Sequence, residues 1–381
     1  MNVPKLRFKE FNDEWIEEKI NKLVELNPKN PNLPENFIYI DLESVSNGIL
    51  LQEKIITKDD APSRAQRQVK VNDILYQTVR PYQKNNLFID KLSNLPYIAS
   101  TGYVILREKN IYQKFLFNKL HTDGFVNEVL DNCTGTSYPA INSNDLGNIK
   151  IFYPNNFKEQ KKIGDFLSLL DKKIELQSKK IEDLKLFKLS LREKLFYMFS
   201  TDNKKLSEIL IKWNKKNKAN KYSYVESVSN KFGFIAQNEQ FEDRNVASND
   251  TSNYYVIEKG VFAYNPSRLN VGSLALKQND KISLVSPLYE CFTTNQNQDF
   301  MLEWFQSKEF RRGTFSKYEG GVRNTLNFNN LSSIEINLPS IESQNKIVKV
   351  LSCYNKLIYL ELAKLNKLQE LKRGLMQQLF V

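Results

Sequence analysis

The sequence predicts an α+β, internally duplicated chain: two mixed α/β globular domains joined by two long helices that form an antiparallel coiled coil. Three observations carry this expectation. A nine-residue stretch, YIDLESVSN at 39–47, returns as YSYVESVSN at 222–230 with its last five residues unchanged. Two stretches of similar length carry apolar residues seven apart. The segments between them alternate short β-branched and aromatic runs with polar turns.

The repeat extends well beyond the pentapeptide. Phe115, Phe125, Gly135, Asn142, Leu146 and Pro154 meet Phe300, Phe310, Gly320, Asn327, Leu331 and Pro339 at a constant offset of 185. From Glu159 to Phe196 the match is Ser343 to Phe380 at an offset of 184. Offsets that stay within two residues over most of the chain mean duplication. The units so defined are a first globular domain at 1–157, a first long helix at 158–198, a second globular domain at 199–341 and a second long helix at 342–381.

The helices read in detail. In the first, Ile163, Leu170, Gln177, Leu184 and Leu191 interleave with Leu167, Ile174, Ile181, Lys188 and Leu195, and no proline or glycine lies between Asp165 and Leu195. The second gives Ile347, Tyr354, Glu361, Leu368 and Leu375, interleaved with Leu351, Ile358, Leu365, Lys372 and Leu379. The polar interruptions, Gln177/Glu361 and Lys188/Lys372, are equivalent in the two copies. Either they fix register within the seam or the seam turns to solvent there. Asn156 with Glu159, after Pro154, predicts an N-cap box, and Ser340 after Pro339 is the matching start. A helix of some 39 residues is about 58 Å long. That is far more than one small domain needs, so these helices pack on each other or on partners.

In the globular domains NFIYIDL, DILYQTV, PYIAST and GYVILR read as strands, as do YYVIEKGVFAYN and ISLVSPLYECF. An amphipathic helix follows in each copy (IYQKFLFNKL; QDFMLEWFQSKEF), then a Gly-bearing polar loop and a last strand.

Composition narrows the function classes. A chain of 381 residues with 41% apolar and 12% aromatic residues has enough material for two cores, and no apolar run approaches a membrane span. Cys133, Cys291 and Cys353 form no CxxC pair, so neither a disulfide framework nor a cysteine zinc site is readable, and a reducing cytoplasm is the expected compartment. His121 is the one histidine and sits where a helix should end. Metal sites built on histidine and histidine-based nucleophile machinery are therefore not expected. There is no GxGxxG, no phosphate loop, and no Asn/Asp-Pro-Pro-aromatic string; Asn265-Pro266-Ser267 lacks the second proline. Asp13 with Glu17 and Lys19 reads as a solvated face rather than a nuclease centre.

The formal net charge is +11. The two helices hold +8 of it, residues 199–341 hold +3, and residues 1–157 are neutral. Basic residues cluster locally at 61–91 and 308–323. A polyanionic partner fits this distribution.

The opening VPKLRFKEFNDEW, the duplicated layout, and the helix starts EQKKIGDFLSLLDKKIELQ and SQNKIVKVLSCYNKL resemble the specificity subunit of type I restriction-modification systems. The Gln-x-Lys-Ile core recurs as Gln160 to Ile163 and Gln344 to Ile347. The resemblance implies a non-catalytic subunit with two target-recognition domains, each reading half of a bipartite double-stranded DNA site. The helices would set the spacer and dock two methyltransferase subunits that use S-adenosylmethionine to modify adenine. Two motor-nuclease subunits, using ATP and Mg²⁺, would join for restriction. The competing reading is a helical scaffold whose duplicated heads bind proteins.

For DNA contact the residue types point to Arg64, Gln66 and Arg67, then Gln77, Thr78, Arg80, Tyr82 and Lys84, then Thr136, Ser137 and Tyr138 in the first head. In the second they point to Arg244, Tyr264, Asn265, Ser267 and Arg268, then Lys317, Arg323 and Asn324. Arginine can donate twice to guanine, and asparagine or glutamine can pair twice with adenine.

Overall fold

In the computed structural model the chain forms two compact units, residues 1–179 with 363–381, and residues 180–362. The structure describes residues 2–29, 32–46, 48–135, 137–199, 202–230, 233–236, 250–318 and 325–381.

In the first unit, Ile16–Lys19 pairs antiparallel with Lys150–Tyr153, so the beginning and end of the head meet just before the long helix. One four-stranded sheet runs in the order Val24–Leu26, Tyr103–Glu108, Ile74–Gln77, Leu87–Phe88. A second sheet runs Lys54–Thr57, Asn36–Ile40, Tyr97–Ser100, Ala65–Val69, and its central pair is parallel. The second unit repeats the frame: Asp202–Lys205 pairs with Glu335–Leu338, and Leu210–Lys212, Glu290–Thr294, Phe262–Tyr264 and Leu274–Leu276 form the matching sheet. The other sheet has no full counterpart among the described residues. In its place are two pairs, Glu226–Ser229 with Gly233–Ala236 and Tyr255–Ile257 with Ser283–Val285. The heads therefore share one layer and diverge in the other.

The stretch QDFMLEWFQSKEF, which reads as one helix, is two. Gln298–Trp304 ends, and Ser307 caps Lys308–Phe315 by accepting from the Phe310 N–H. Thr122 does the same for Asp123–Asp131 in the first head, a helix in the stretch that sequence patterning leaves unassigned. A hydroxyl that takes up a free first-turn N–H starts a new helix whatever the apolar pattern around it.

The long helices span Phe157–Phe199 and Ile341–Leu379. In the first unit Asp171 pairs with Lys372 at 2.5 Å. In the second Lys180 pairs with Glu361 at 2.5 Å, and the rings of Phe187 and Tyr354 stand 5.4 Å apart. Positions thus rise along one helix as they fall along the other, which is antiparallel pairing. The apolar seam residues are buried or half-buried throughout. The polar seam positions also face inward: Gln177 is 7% exposed, and Glu361, Lys188 and Lys372 each hold an ion pair.

The helix starts need one correction. Asn156 caps the first helix by accepting from the Lys158 N–H at 3.0 Å, but Glu159 does not complete an N-cap box. Its carboxylate accepts from Arg7 at 2.8 Å through each oxygen and from the Trp15 indole at 3.3 Å, and it is buried. The N-terminal segment supplies a stronger, charged donor than the Asn156 backbone.

The duplicated glutamines lie at the root of each head. Gln160 Oε1 accepts from the Tyr112 N–H at 2.8 Å while Nε2 donates to the Pro154 carbonyl at 2.9 Å. Gln344 repeats this with Asn297 N–H at 3.0 Å and Pro339 at 2.9 Å. Next to Gln160, Gly164 allows the helix to approach the head so closely that a Cβ there would lie 2.6 Å from the Phe115 backbone nitrogen.

Replacing Gln160 by Leu leaves the Tyr112 N–H and the Pro154 carbonyl buried without partners, at a cost of about 1–3 kcal/mol. Hydrogen exchange is expected to speed up at the Tyr112 amide by roughly 10-fold or more while the Asn297 amide is unchanged. Equal protection in the variant would show that the glutamine does not hold the head.

Candidate nucleic-acid interface

The first head builds its polar surface on a buried turn. Gln77 Nε2 donates to the Val79 carbonyl at 2.7 Å and to Gln83 Oε1 at 2.8 Å, its Oε1 accepts from the Asn85 N–H at 3.2 Å, and its own N–H donates to Asn86 Oδ1 at 2.8 Å. Thr78 Oγ1 donates to the Gly102 carbonyl at 2.8 Å. Both residues are buried. Expected as DNA contacts, they instead have their polar atoms engaged in holding the turn together.

On this turn, Arg80 and Lys84 both take left-handed backbone conformations, φ 53° and 54°, at either end of the single turn Pro81–Gln83. The Arg80 N–H donates to the Pro139 carbonyl at 2.8 Å, and its guanidinium lies over the Tyr138 ring, 4.3 Å from the centroid. The structure thereby brings Arg80, Tyr82, Ser137 and Tyr138 together, with Tyr138 64% and Tyr82 49% exposed. Lys84 donates to Asp123 Oδ1 at 2.6 Å and to the His121 carbonyl at 3.1 Å. Arg64 and Gln66 are exposed. The Arg64 carbonyl accepts from Thr101 and the Gly102 carbonyl from Thr78, so a single turn ties both groups of residues. Arg67 is half-buried, with its Nε lacking an acceptor among the described residues, and desolvation lowers its pKa from the usual value.

In the second head Tyr264, expected as a DNA contact, is fully buried and donates its hydroxyl to the Leu326 carbonyl at 3.1 Å. Asn265 caps the following turn by accepting from the Ser267 N–H at 3.0 Å. The Leu326 N–H donates to the Pro266 carbonyl, so Ser267 and Arg268, both exposed, are held beside the start of the 325–326 segment. Lys317 is half-buried. Thr136, Arg244, Arg323 and Asn324 lie outside the described residues.

Residue-type reasoning over loops missed one element. The helix Lys308–Phe315 buries Phe310 and Thr314 and exposes Arg311, Arg312 and Phe315, the last at 87%. The equivalent helix of the first head, Asp123–Asp131, carries Asp123, Glu128 and Asp131. The signal was available in the basic cluster, but it becomes a face only once the Ser307 cap is recognised.

The long helices carry a second apolar stripe outside the seam. Phe166, Leu169 and Leu176 are exposed in the first unit, and Val350, Leu357 and Leu360 in the second. Phe166/Val350 and Leu176/Leu360 are repeat-equivalent.

His121 ends the head helix Gln113–Lys119. Its Nδ1 donates to the Phe117 carbonyl at 2.6 Å, and its Nε2 faces the Asn86 amide at 3.5 Å. Burial is the main cause that lowers the imidazole to about 4, with nearby Lys372 pushing the same way and Asp171 opposing. It is a neutral capping group at pH 7. Among the described residues no group of three His, Cys, Asp or Glu side chains is placed to hold a metal ion. No helix among them is long and apolar enough to cross a membrane.

The model of the type I restriction modification DNA specificity domain matches residues 12–186 and again 193–372. The chain is similar to the type I restriction enzyme HindI specificity subunit of Haemophilus influenzae, at 30% identity over 149 residues, which is 38% of this chain and 32% of that protein. The match thus spans about a third of the curated relative's length. Two solved structures share the fold. One is described as the structural basis of complex assembly and conformational transition of the type I R-M system, with TM-score 0.59 and 18% identity, covering 96% of this chain and 97% of that one. The other is the type I restriction-modification S subunit from M. genitalium, with TM-score 0.58 and 16% identity, covering 100% and 99%.

The His121 geometry sets a pH dependence. Its folded pKa lies below the unfolded value of about 6.5, so the unfolded chain binds the extra proton first and stability falls as pH drops from 6.5 toward 4. The variant His121→Gln, which installs the residue found at the equivalent Gln306, should lose this component, on the order of 2 kcal/mol. Urea unfolding of both proteins at pH 7 and pH 4.5 measures the difference. Parallel pH profiles would contradict the assignment.

Proposed function

As the chain belongs to the type I restriction modification DNA specificity family and carries that domain twice, we propose that it is the non-catalytic DNA-reading subunit of a type I restriction-modification complex. Each head reads one half of a bipartite target. The helices set the spacer between the halves and dock two methyltransferase subunits. The methyl donor S-adenosylmethionine, and the ATP and Mg²⁺ needed for restriction, would be held by partner subunits, including two motor-nuclease subunits, since this chain has no motif for any of them.

The observation that carries the reading is the repeat of one frame under two different polar surfaces. In the first head, the Arg80–Tyr138 stack presents a guanidinium held in place, suited to a guanine edge. In the second, the equivalent turn offers Ser267 and Arg268, and the separate helix Lys308–Phe315 offers the exposed Arg311 and Arg312. Two different half-sites follow from two different surfaces. The exposed stripes on the helices, one in each unit, support docking of one partner per unit, since contiguous exposed apolar surface marks an interaction site.

Co-expression with the methyltransferase subunit should place methylated adenines in both halves of one split motif across a host genome. If no such motif emerges, the scaffold reading, in which the heads bind proteins, takes its place. Arg80→Ala and Arg268→Ala should each relax one half-site by about 1–3 kcal/mol of discrimination. Arg311→Ala with Arg312→Ala should weaken binding to all sequences alike and reduce the slope of log K against log salt by about 2. If the base preference of one half-site changed instead, the phosphate assignment would be wrong. Leu169→Lys with Leu357→Lys should abolish copurification with the methyltransferase while the variant keeps its thermal unfolding profile. Retained copurification would move the docking surface elsewhere.

A further inference from the structure

Each unit seats a head helix against the paired long helices, and the two junctions balance charge in opposite ways. In the unit of residues 180–362, Glu303 on the head helix Gln298–Trp304 accepts from Lys188 Nζ at 2.6 Å and from Asn355 Nδ2 at 3.2 Å. Arg192 Nη1 stands 3.6 Å from its other oxygen. Lys188, Glu303 and Arg192 are 13%, 11% and 3% exposed, so these charges are largely withdrawn from water. In the other unit the repeat puts Lys372 at the place of Lys188, Asn118 at Glu303, Asp171 at Asn355 and Met376 at Arg192. There Lys372 Nζ meets Asp171 Oδ1 at 2.5 Å, and Asn118 on the head helix Gln113–Lys119 is buried, its neutral amide satisfied within its own helix by the Lys114 carbonyl at 2.8 Å. Leu379, with Leu375 and Met376 packed against the same cluster, shares the core that holds Phe115, Leu116 and Leu120, which seats the head helix on the stretch of long helix that carries Lys372.

Acid and amide have therefore traded places. In one junction the head brings the carboxylate and the long helix the amide; in the other the long helix brings the carboxylate and the head the amide. The second cation goes with the head carboxylate, as Arg192, and is absent where the head carries the amide, as Met376. We infer that this exchange is a matching code between a head and the helix pair that seats it. A head carrying Glu fits a helix carrying Asn, and a head carrying Asn fits a helix carrying Asp. Placing the second head on the first helix pair sets Glu303 against Asp171 with one lysine for two acids. The reverse placement takes Glu303 away from Lys188 and Arg192, leaving two cations with Glu193, 3.4 Å from Arg192, as the one acid between them. A mostly buried charge without its counterion is strongly unfavourable, so the mismatched junctions do not close. The code concerns the seating of heads and holds whether or not the heads bind DNA.

Reciprocal variants of the full chain test it, with hydrogen exchange of the amides at 300–305 as the readout. Glu303→Asn should accelerate exchange by about 10-fold or more. Adding Asn355→Asp, which recreates the arrangement of the other junction, should recover at least half of that loss on a logarithmic scale. In the other unit, Asp171→Asn should loosen the amides at 115–120, and adding Asn118→Glu should restore them. If a double variant exchanges as fast as its single parent in both units, the two positions do not form a matched pair and the inference is overturned.

Discussion

One buried amide in each copy, Gln160 and Gln344, joins the three elements on which the rest of each unit depends. The last strand of each head ends in a proline whose carbonyl must be satisfied as the chain turns into the long helix. The head helix begins nearby with an N–H that has no partner of its own. Glutamine spans both because one side chain carries a donor and an acceptor at the end of two methylenes; glutamate lacks the donor and asparagine is shorter by one carbon. Gln344 reaches further, donating also to Gln296 Oε1 at 2.9 Å. The strand pair, the long helix and the head helix are thereby fixed to one another before any apolar packing is considered. Apolar packing then follows: Ile163 and Leu167 enter the first head's core, and Ile347 and Leu351 the second's.

That constraint explains why the copies agree in some places and diverge in others. Whatever touches the glutamine, from Pro154/Pro339 to Tyr112/Asn297, keeps its position in both copies, as do the strands Val24–Leu26 and Leu210–Lys212 at the edge of the shared sheet. Farther out, the layers differ. The repeated pentapeptide shows how far context decides. Glu226 is buried against Lys277, whereas Glu43, in the same pentapeptide, is exposed. An identical local sequence sits in two electrostatic settings because the partner lysine belongs to only one head.

The parts of the fold legible in the sequence were those with a period. Two heptad seams and a constant offset are statistical features of many residues, and tertiary contacts do not easily override them. Single-residue decisions were less legible. Whether Ser307 or Thr122 starts a new helix depends on one hydroxyl, and whether Glu159 caps its own helix depends on Arg7, 152 positions away. The candidate site divided along the same line. Arg80 and Arg268 could be anticipated at the surface because they follow strands, and Tyr138 because it lies in a Gly-bearing polar loop. Gln77, Thr78 and Tyr264 could not be told from them by type, since a polar group at a strand end serves equally well to satisfy a turn or to meet a ligand. The position of the partner backbone, Gly102 or Leu326, decides between the two, and that is a property of the fold.

Charge, too, changes meaning once it is placed. The helices hold most of the formal excess, which taken alone suggests a cationic rod for a polyanion. Much of it is answered locally. Lys180, Lys188, Arg192 and Lys372 face the acids Glu361, Glu303 and Asp171 within the seams and junctions, and Lys161 and Lys162 meet Asp165 and Glu10. Such inward pairs fix register and contribute little field at a distance. On the second head Lys212, Lys215, Lys259 and Lys277 are paired in the same way, whereas Arg268, Arg311 and Arg312 are exposed and form no ion pair among the described residues. Helix cations away from these pairs, among them Lys173, Lys179, Lys185, Lys356, Lys364 and Lys367, are likewise exposed and form no ion pair among the described residues. The net charge of a segment therefore counts paired and unpaired cations alike, and only the pairing state of each cation separates those that fix register from those that face outward.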